Sequence, residues 1–210
     1  MHTRLATAGD FGGIMNLYLA TADAMVGTPH DCCWRRGGHP TPAFIKAFIH
    51  NQGMFVVEEN GAIVAAVGMD HDIGHDYGDL PWLVDAPDEH VTAIHLLAVR
   101  EDRRGTGIAR RLLRACLDEA RRRGMQSARL DATANNAPAI ALYQSEGFLQ
   151  VGAASVDVGL EENPRVPFVV MERPIQQTRA CRSWLWNVPS SKTNVPVPFV
   201  SPPSLPTLLK

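Results

Sequence analysis

The clearest periodicity in the chain is helical: Ile108, Leu112, Cys116 and Ala120 recur along one stripe, which Leu113 and Leu117 widen. Just upstream, Ala93-Ile94-His95-Leu96-Leu97-Ala98-Val99 is short and apolar enough for a buried strand. Strict alternation along it puts His95, Leu97 and Val99 on one face. Arg104-Gly105-Thr106-Gly107-Ile108-Ala109 joins this strand to the helix. Nearer the N-terminus the pattern predicts a strand over residues 3–6 and a helix over about 11–25, with Asp10 as its cap. A loop through 33–40 leads to a helix over about 42–51, with Pro42 suited to the first turn. Apolar runs at 55–58 and 62–67 flank Asn60-Gly61, a strong hairpin signal. A fifth strand is expected over 128–132, a fourth helix over 137–145, and a closing strand pair over 148–157 and 166–172. The order is that of an α/β (α+β) domain.

The 210-residue chain is long enough, ahead of its C-terminal segment, for one continuous core. A formal net charge of −2 gives no global reason to expect nucleic acid or a membrane as partner. Locally the charge is uneven: Ala47 to Val99 contains no Lys or Arg, whereas Arg100, Arg103, Arg104, Arg110, Arg111, Arg114, Arg121, Arg122, Arg123 and Arg129 follow. Most of these read as the solvated face of a helix. They lack the interleaved aromatics of a nucleic-acid surface. The 4 cysteines, Cys32, Cys33, Cys116 and Cys181, form neither a disulfide framework nor a zinc spacing. His30 and His39 lie near Cys32 and Cys33, but no second ligand pair follows, and no metal is expected. With no secretory signal or membrane-length apolar run, a reducing cytoplasm is the expected location.

Candidate chemistry centres on the glycine turn. A strand, a glycine-rich turn and a helix start aim several backbone N–H groups and a positive helix end at one point, which suits a phosphate. Glycine lets a ligand approach the backbone, and a side chain at Gly107 stands in its way. The same pattern also joins strands to helices with no ligand, so the turn alone decides nothing. A second motif follows: Asn136-Ala137-Pro138-Ala139-Ile140-Ala141-Leu142-Tyr143, then Gly147-Phe148.

Together the two motifs resemble the GNAT superfamily of acetyl-CoA-dependent N-acetyltransferases. Arg104, Gly107 and Ala109 match its Arg/Gln-x-x-Gly-x-Gly/Ala signature, and Asn136, Ala139, Tyr143, Gly147 and Phe148 match its second. The resemblance covers residues 1–173. It implies the GNAT fold: a mixed, mainly antiparallel sheet splayed at strands 4 and 5, with flanking helices. It also implies acetyl-CoA as donor cosubstrate. The backbone of Leu97, Ala98 and Val99 would pair with the pantetheine arm, and Asn136 would contact it. The turn Gly105, Thr106, Gly107, Ile108 and Ala109, with Arg103 and Arg104, would hold the phosphates. Tyr143 takes the position of the family's general acid, although an aromatic that packs helix on sheet fits the same place. His95 is the candidate base, since imidazole titrates near neutrality; Glu89, His90 and Asp131 stand as alternatives.

The acceptor is expected to be a small cationic amine. Asp70, Asp72, Asp76, Asp79, Asp85, Asp88 and Glu89, with His71 and His75, crowd one loop without a single Lys or Arg. That loop and the one around Trp34 can form an acidic rim on the acceptor side. A solvated loop, or a metal at His71, Asp72, His75 and Asp76, are the other readings. The segment 174–210 is rich in proline and reads as a disordered tail. A non-catalytic acyl-CoA-binding regulatory module and a protein or peptide N-acetyltransferase remain the alternatives. A homodimer is left open.

Overall fold

The computed structural model describes residues 2–74, 77, 80–160 and 165–175. Seven strands, β1 His2–Leu5, β2 Met54–Glu59, β3 Ala62–Asp70, β4 Val91–Val99, β5 Ser127–Thr133, β6 Leu149–Asp157 and β7 Arg165–Pro174, form one sheet in the order β1-β2-β3-β4-β5-β7-β6. Every neighbouring pair is antiparallel except β4 and β5, which run parallel. Four helices cover it: α1 Phe11–Met25, α2 Pro42–His50, α3 Ile108–Arg122 and α4 Ala137–Ser145.

The expected elements are therefore present. Asn60 and Gly61, both at positive φ, make the turn between β2 and β3. Thr41 caps α2 by accepting from the Phe44 amide at 3.2 Å, with Pro42 in the first turn. Asp10 does not cap α1. Its carboxylate instead accepts from Thr7 N at 2.7 Å and Thr7 Oγ1 at 2.8 Å and pairs with Arg4. The segment expected as a tail begins inside the sheet: Pro174 pairs with Ser127, and Ile175 is buried. The rest of it, with Cys181, lies outside the described residues.

Each face of the sheet has its own core. Phe55, Val57, Val67, Met69 and Ile94 pack against the α3 stripe that the periodicity marked, with Phe148 and Tyr143 closing one end. On the other face Met54, Val56, Ala66, Leu96 and Ala98 pack against Ile14, Leu17 and Tyr18 of α1 and Ile45 and Phe48 of α2. Gly68 lets α2 approach, since a Cβ there would lie 3.0 Å from the Phe48 ring. No helix of the described residues is long and apolar enough to cross a membrane.

The central strand breaks the alternation rule. Leu96 has φ +58, and the β3 partners step from Ala98 opposite Ala66 to His95 opposite Gly68, which marks a bulge. Its cost, of order 1–3 kcal/mol for a non-glycine residue, is offset by Tyr18, whose buried hydroxyl donates to Leu96 O at 2.8 Å. The bulge corrects the expected face. Leu97 and Val99 pack on the α3 side, while His95 lies edge-on to Phe44 and tilted against Phe48 on the α2 side.

Candidate active site

Beyond the bulge the two parallel strands separate. Their pairing runs from Val91 opposite Ser127 only as far as Ile94 opposite Leu130, although both continue, to Val99 and Thr133. Among the described residues, the β5 side of β4 from His95 onward thus has no strand partner. A cavity of about 590 Å³ occupies the opening, lined by His95, Leu96, Leu97, Ala98 and Val99 from one strand and Asp131, Ala132 and Thr133 from the other.

At one end the cavity reaches Arg104 and Ala109, at the start of α3. Gly107 holds the N-cap position with φ +83, and Gly105 has φ +75; both are conformations that L side chains rarely adopt. A Cβ at either glycine would meet no atom of the described residues within 4 Å, so the space beside the turn is open among them. The first helical bond is donated by Arg111, to Gly107 O at 3.1 Å. The amides from Thr106 to Arg110 have no acceptor among the described residues. These orphan donors, the helix dipole and Arg104 together suit an anionic phosphate, while the open β4 edge offers pairing to an extended arm.

The expected phosphate-binding residues are thus only partly assembled. Arg104 is on the cavity wall, its Nε donating to Val99 O at 3.4 Å. Arg103 is instead turned to Glu59 of β2 at 2.6 Å and Asp102 at 3.0 Å. Thr106 Oγ1 donates to Arg103 O at 2.6 Å and tightens the turn. Asn136 lines the cavity and caps α4, its Oδ1 accepting from Ala139 N at 3.4 Å. Further along α3, Arg110 and Arg114 both pair with Glu146 at 2.9 Å, tying this helix to the end of α4.

At the other end stand the groups that titrate. His95 Nε2 lies 3.0 Å from Asp70 Oδ1. Burial alone would lower its pKa, but the hydrogen bond and charge of Asp70, with help from Asp131 and the Asp72 backbone, outweigh it and raise it above the usual 6.5. Tyr143 faces the cavity from α4 beside Phe148, with no hydrogen bond to its hydroxyl among the described residues. Burial, then the Asp131 charge, pushes its pKa well up, so it stays a phenol at neutral pH. Asp131 Oδ2 accepts from Tyr77 at 2.7 Å. Trp34, His39 and Phe44 form an aromatic wall, and burial with the nearby His95 lowers the His39 pKa to about 4.

Several of these groups escaped sequence reasoning. The Asp70–His95 pair joins adjacent strands and follows from their register. Asp131, named from the sequence as an alternative base, stands on the β5 edge of the cavity. Of the described acids of the acidic loop, none of Asp72, Asp85, Asp88 and Glu89 lines the cavity. The loop's contribution is Tyr77; His75, Asp76 and Asp79 lie outside the described residues. Glu89 and His90 sit in a short turn ahead of β4. His71 Nδ1 lies 2.7 Å from Val91 O, and no group of three or more potential metal ligands occurs among the described residues.

A sheet that parts between two parallel strands above the open end of a glycine-turned helix suits a ligand with an anionic end and an extended arm. Residues 24–148 match the model of the acetyltransferase (GNAT) family, and the chain belongs to that family of acetyl-CoA-dependent acetyltransferases. Solved structures agree in fold. An N-acetyltransferase from Staphylococcus aureus Mu50 superposes with TM-score 0.63 at 22% identity, over 83% of this chain and 98% of that one. A ribosomal-protein-alanine N-acetyltransferase from Brucella melitensis gives 0.62 at 22%, over 83% and 99%. The yncA protein from Salmonella typhimurium, solved with its cofactor acetyl-CoA, gives 0.60 at 21%, over 85% and 95%. A search of curated protein sequences gives no significant match.

Proposed function

We propose that this acetyltransferase moves the acetyl group directly to the nitrogen of a primary amine, and that the acceptor is a small cationic amine. The observation that supports this most is continuity. One cavity runs from the open β4 edge and the α3 start to His95, Asp131 and Tyr143. Donor, base and acid then share one chamber, and alignment provides much of the rate.

Bound acetyl-CoA supplies an acyl thioester. Leu97, Ala98 and Val99 offer backbone groups to its arm, with Asn136 alongside; Gly105, Thr106, Gly107, Ile108 and Ala109 with Arg104 offer donors to its phosphates, and Arg103 adds positive charge behind the turn. His95, in its neutral form, accepts the ammonium proton directly or through water. The Tyr143 phenol holds a proton for the departing sulfur. No side chain needs to carry the acetyl group. Initial velocities with both substrates varied test this, with mass spectrometry to locate the acetyl group. Intersecting patterns and an N-acetylated amine are expected; parallel lines would point to a covalent enzyme intermediate and overturn direct transfer.

A further inference from the structure

Among the described residues, Asp131 is a largely buried carboxylate with no Lys or Arg paired to it. It stands on β5 one residue beyond Leu130, the last to pair with β4, and lines the cavity. Its hydrogen bond is to the neutral Tyr77 hydroxyl, and no Lys or Arg is paired with it among the described residues. Half-buried Asp70 has His95 at 3.0 Å, and other buried or half-buried acids have arginines. Glu172 has Arg129, Glu146 has Arg110 and Arg114, Asp31 has Arg35, and Asp10 has Arg4. A buried carboxylate left this way is costly, and a ligand that brings its own cation recovers the cost. Burial raises the pKa of Asp131 against the opposing Tyr77 hydrogen bond and His95, which is the signature of that cost.

The surroundings set what else such a ligand must be. Trp34, His39 and Phe44 line the same cavity, with successive ring centroids 6.5 Å and 5.4 Å apart. His39, with its pKa at about 4, is a neutral ring at physiological pH. Asp157, also on the lining, is exposed at the rim and accepts from the Gly159 amide at 2.9 Å. One inner carboxylate and an aromatic wall on the same lining match one cation on an apolar body; a polyamine's further ammonium groups would find only the exposed Asp157 among the acids described on that lining.

We propose that Asp131 selects the acceptor by pairing with the ammonium of a monocationic amine whose apolar or aromatic body lies against Trp34, His39 and Phe44. Tyr77 is its positioning residue: it occupies Oδ2 and leaves Oδ1 for the ligand. The proposal deepens the acetyl-transfer reading of this cavity and rests on it for the amine's fate, though not for its binding. The test is calorimetry of the full chain with phenethylamine, and separately with spermidine, in the presence and absence of coenzyme A. Wild type is expected to bind phenethylamine more tightly than spermidine. Asp131→Asn should weaken phenethylamine at least tenfold with coenzyme A affinity unchanged, and Tyr77→Phe should weaken it severalfold. Equal phenethylamine affinity in wild type and both variants, a preference for spermidine, or no phenethylamine binding by a wild type that acetylates other amines would each overturn it. Phenethylamine binding through Asp131 by a protein that does not bind coenzyme A would sustain the amine site and refute the transferase reading instead.

Discussion

Helix α3 carries its own control experiment for the phosphate turn. Gly107 at its start has φ +83 and Gly124 just past its end has φ +76, and a Cβ built at either meets no atom within 4 Å. Alanine at each position therefore carries the same backbone penalty, about 1–2 kcal/mol for an L residue in the left-handed region, and no packing penalty. Gly124→Ala and Gly107→Ala should thus lose similar stability in urea unfolding. Their ligand affinities should differ. The Cβ at position 107 would enter the open space that the orphan amides of Thr106 to Arg110 face. A tenfold or greater loss of acetyl-CoA affinity, about 1.4 kcal/mol or more, is expected from Gly107→Ala in calorimetry, against no change from Gly124→Ala. Equal affinity in the two variants, at equal stability, would refute the cradle and leave Gly107 as a turn residue alone.

Other changes probe the remaining groups. Tyr143→Phe removes a hydroxyl with no hydrogen-bond partner among the described residues, so folding and acetyl-CoA affinity should hold while turnover at saturating substrates falls roughly 10- to 1000-fold; full turnover would remove Tyr143 as the acid. Because His95 must be neutral to act and its pKa is raised, activity should climb with pH through a midpoint above 6.5. Asp70→Asn leaves burial dominant and should shift that midpoint down; an unmoved profile would disconnect Asp70 and His95 from the rate. The same raised pKa stabilises the fold fully below the unfolded imidazole value and loses that contribution as pH rises through the folded one, so Asp70→Asn should flatten stability across this window. Glu172→Gln strands buried Arg129, which lies 3.0 Å from Glu172 and over the Trp82 ring, and should cost about 3–5 kcal/mol in urea unfolding; a near-wild-type midpoint would show that Arg129 finds other acceptors.

What the sequence made legible was local. The α3 stripe, the Asn60-Gly61 hairpin, the Thr41-Pro42 helix start and the glycine turn each depend on neighbours in the chain, and all are where their patterns place them. The bulge at Leu96 was not legible, because leucine has no preference for positive φ; Tyr18, from a helix 78 residues away, holds that carbonyl. The face of His95 was misread for the same reason. Arg103 and Asp10 were assigned from position alone; Arg103 found a partner across the fold in Glu59, and Asp10 found Arg4 and Thr7 a few residues back in the chain. Asp131 became prominent only when the opening of β4 from β5 exposed it to the cavity with no Lys or Arg paired to it among the described residues.

Coenzyme A release from acetyl-CoA, measured over a panel of monoamines, polyamines, aminoglycosides, amino acids and peptides, addresses the central claim most directly. Release that depends on the acceptor, fastest with monocationic amines bearing an apolar body, is the expected result. Acetyl-CoA binding without acceptor-dependent release from any class would contradict the account and favour a module that binds acyl-CoA without turning it over.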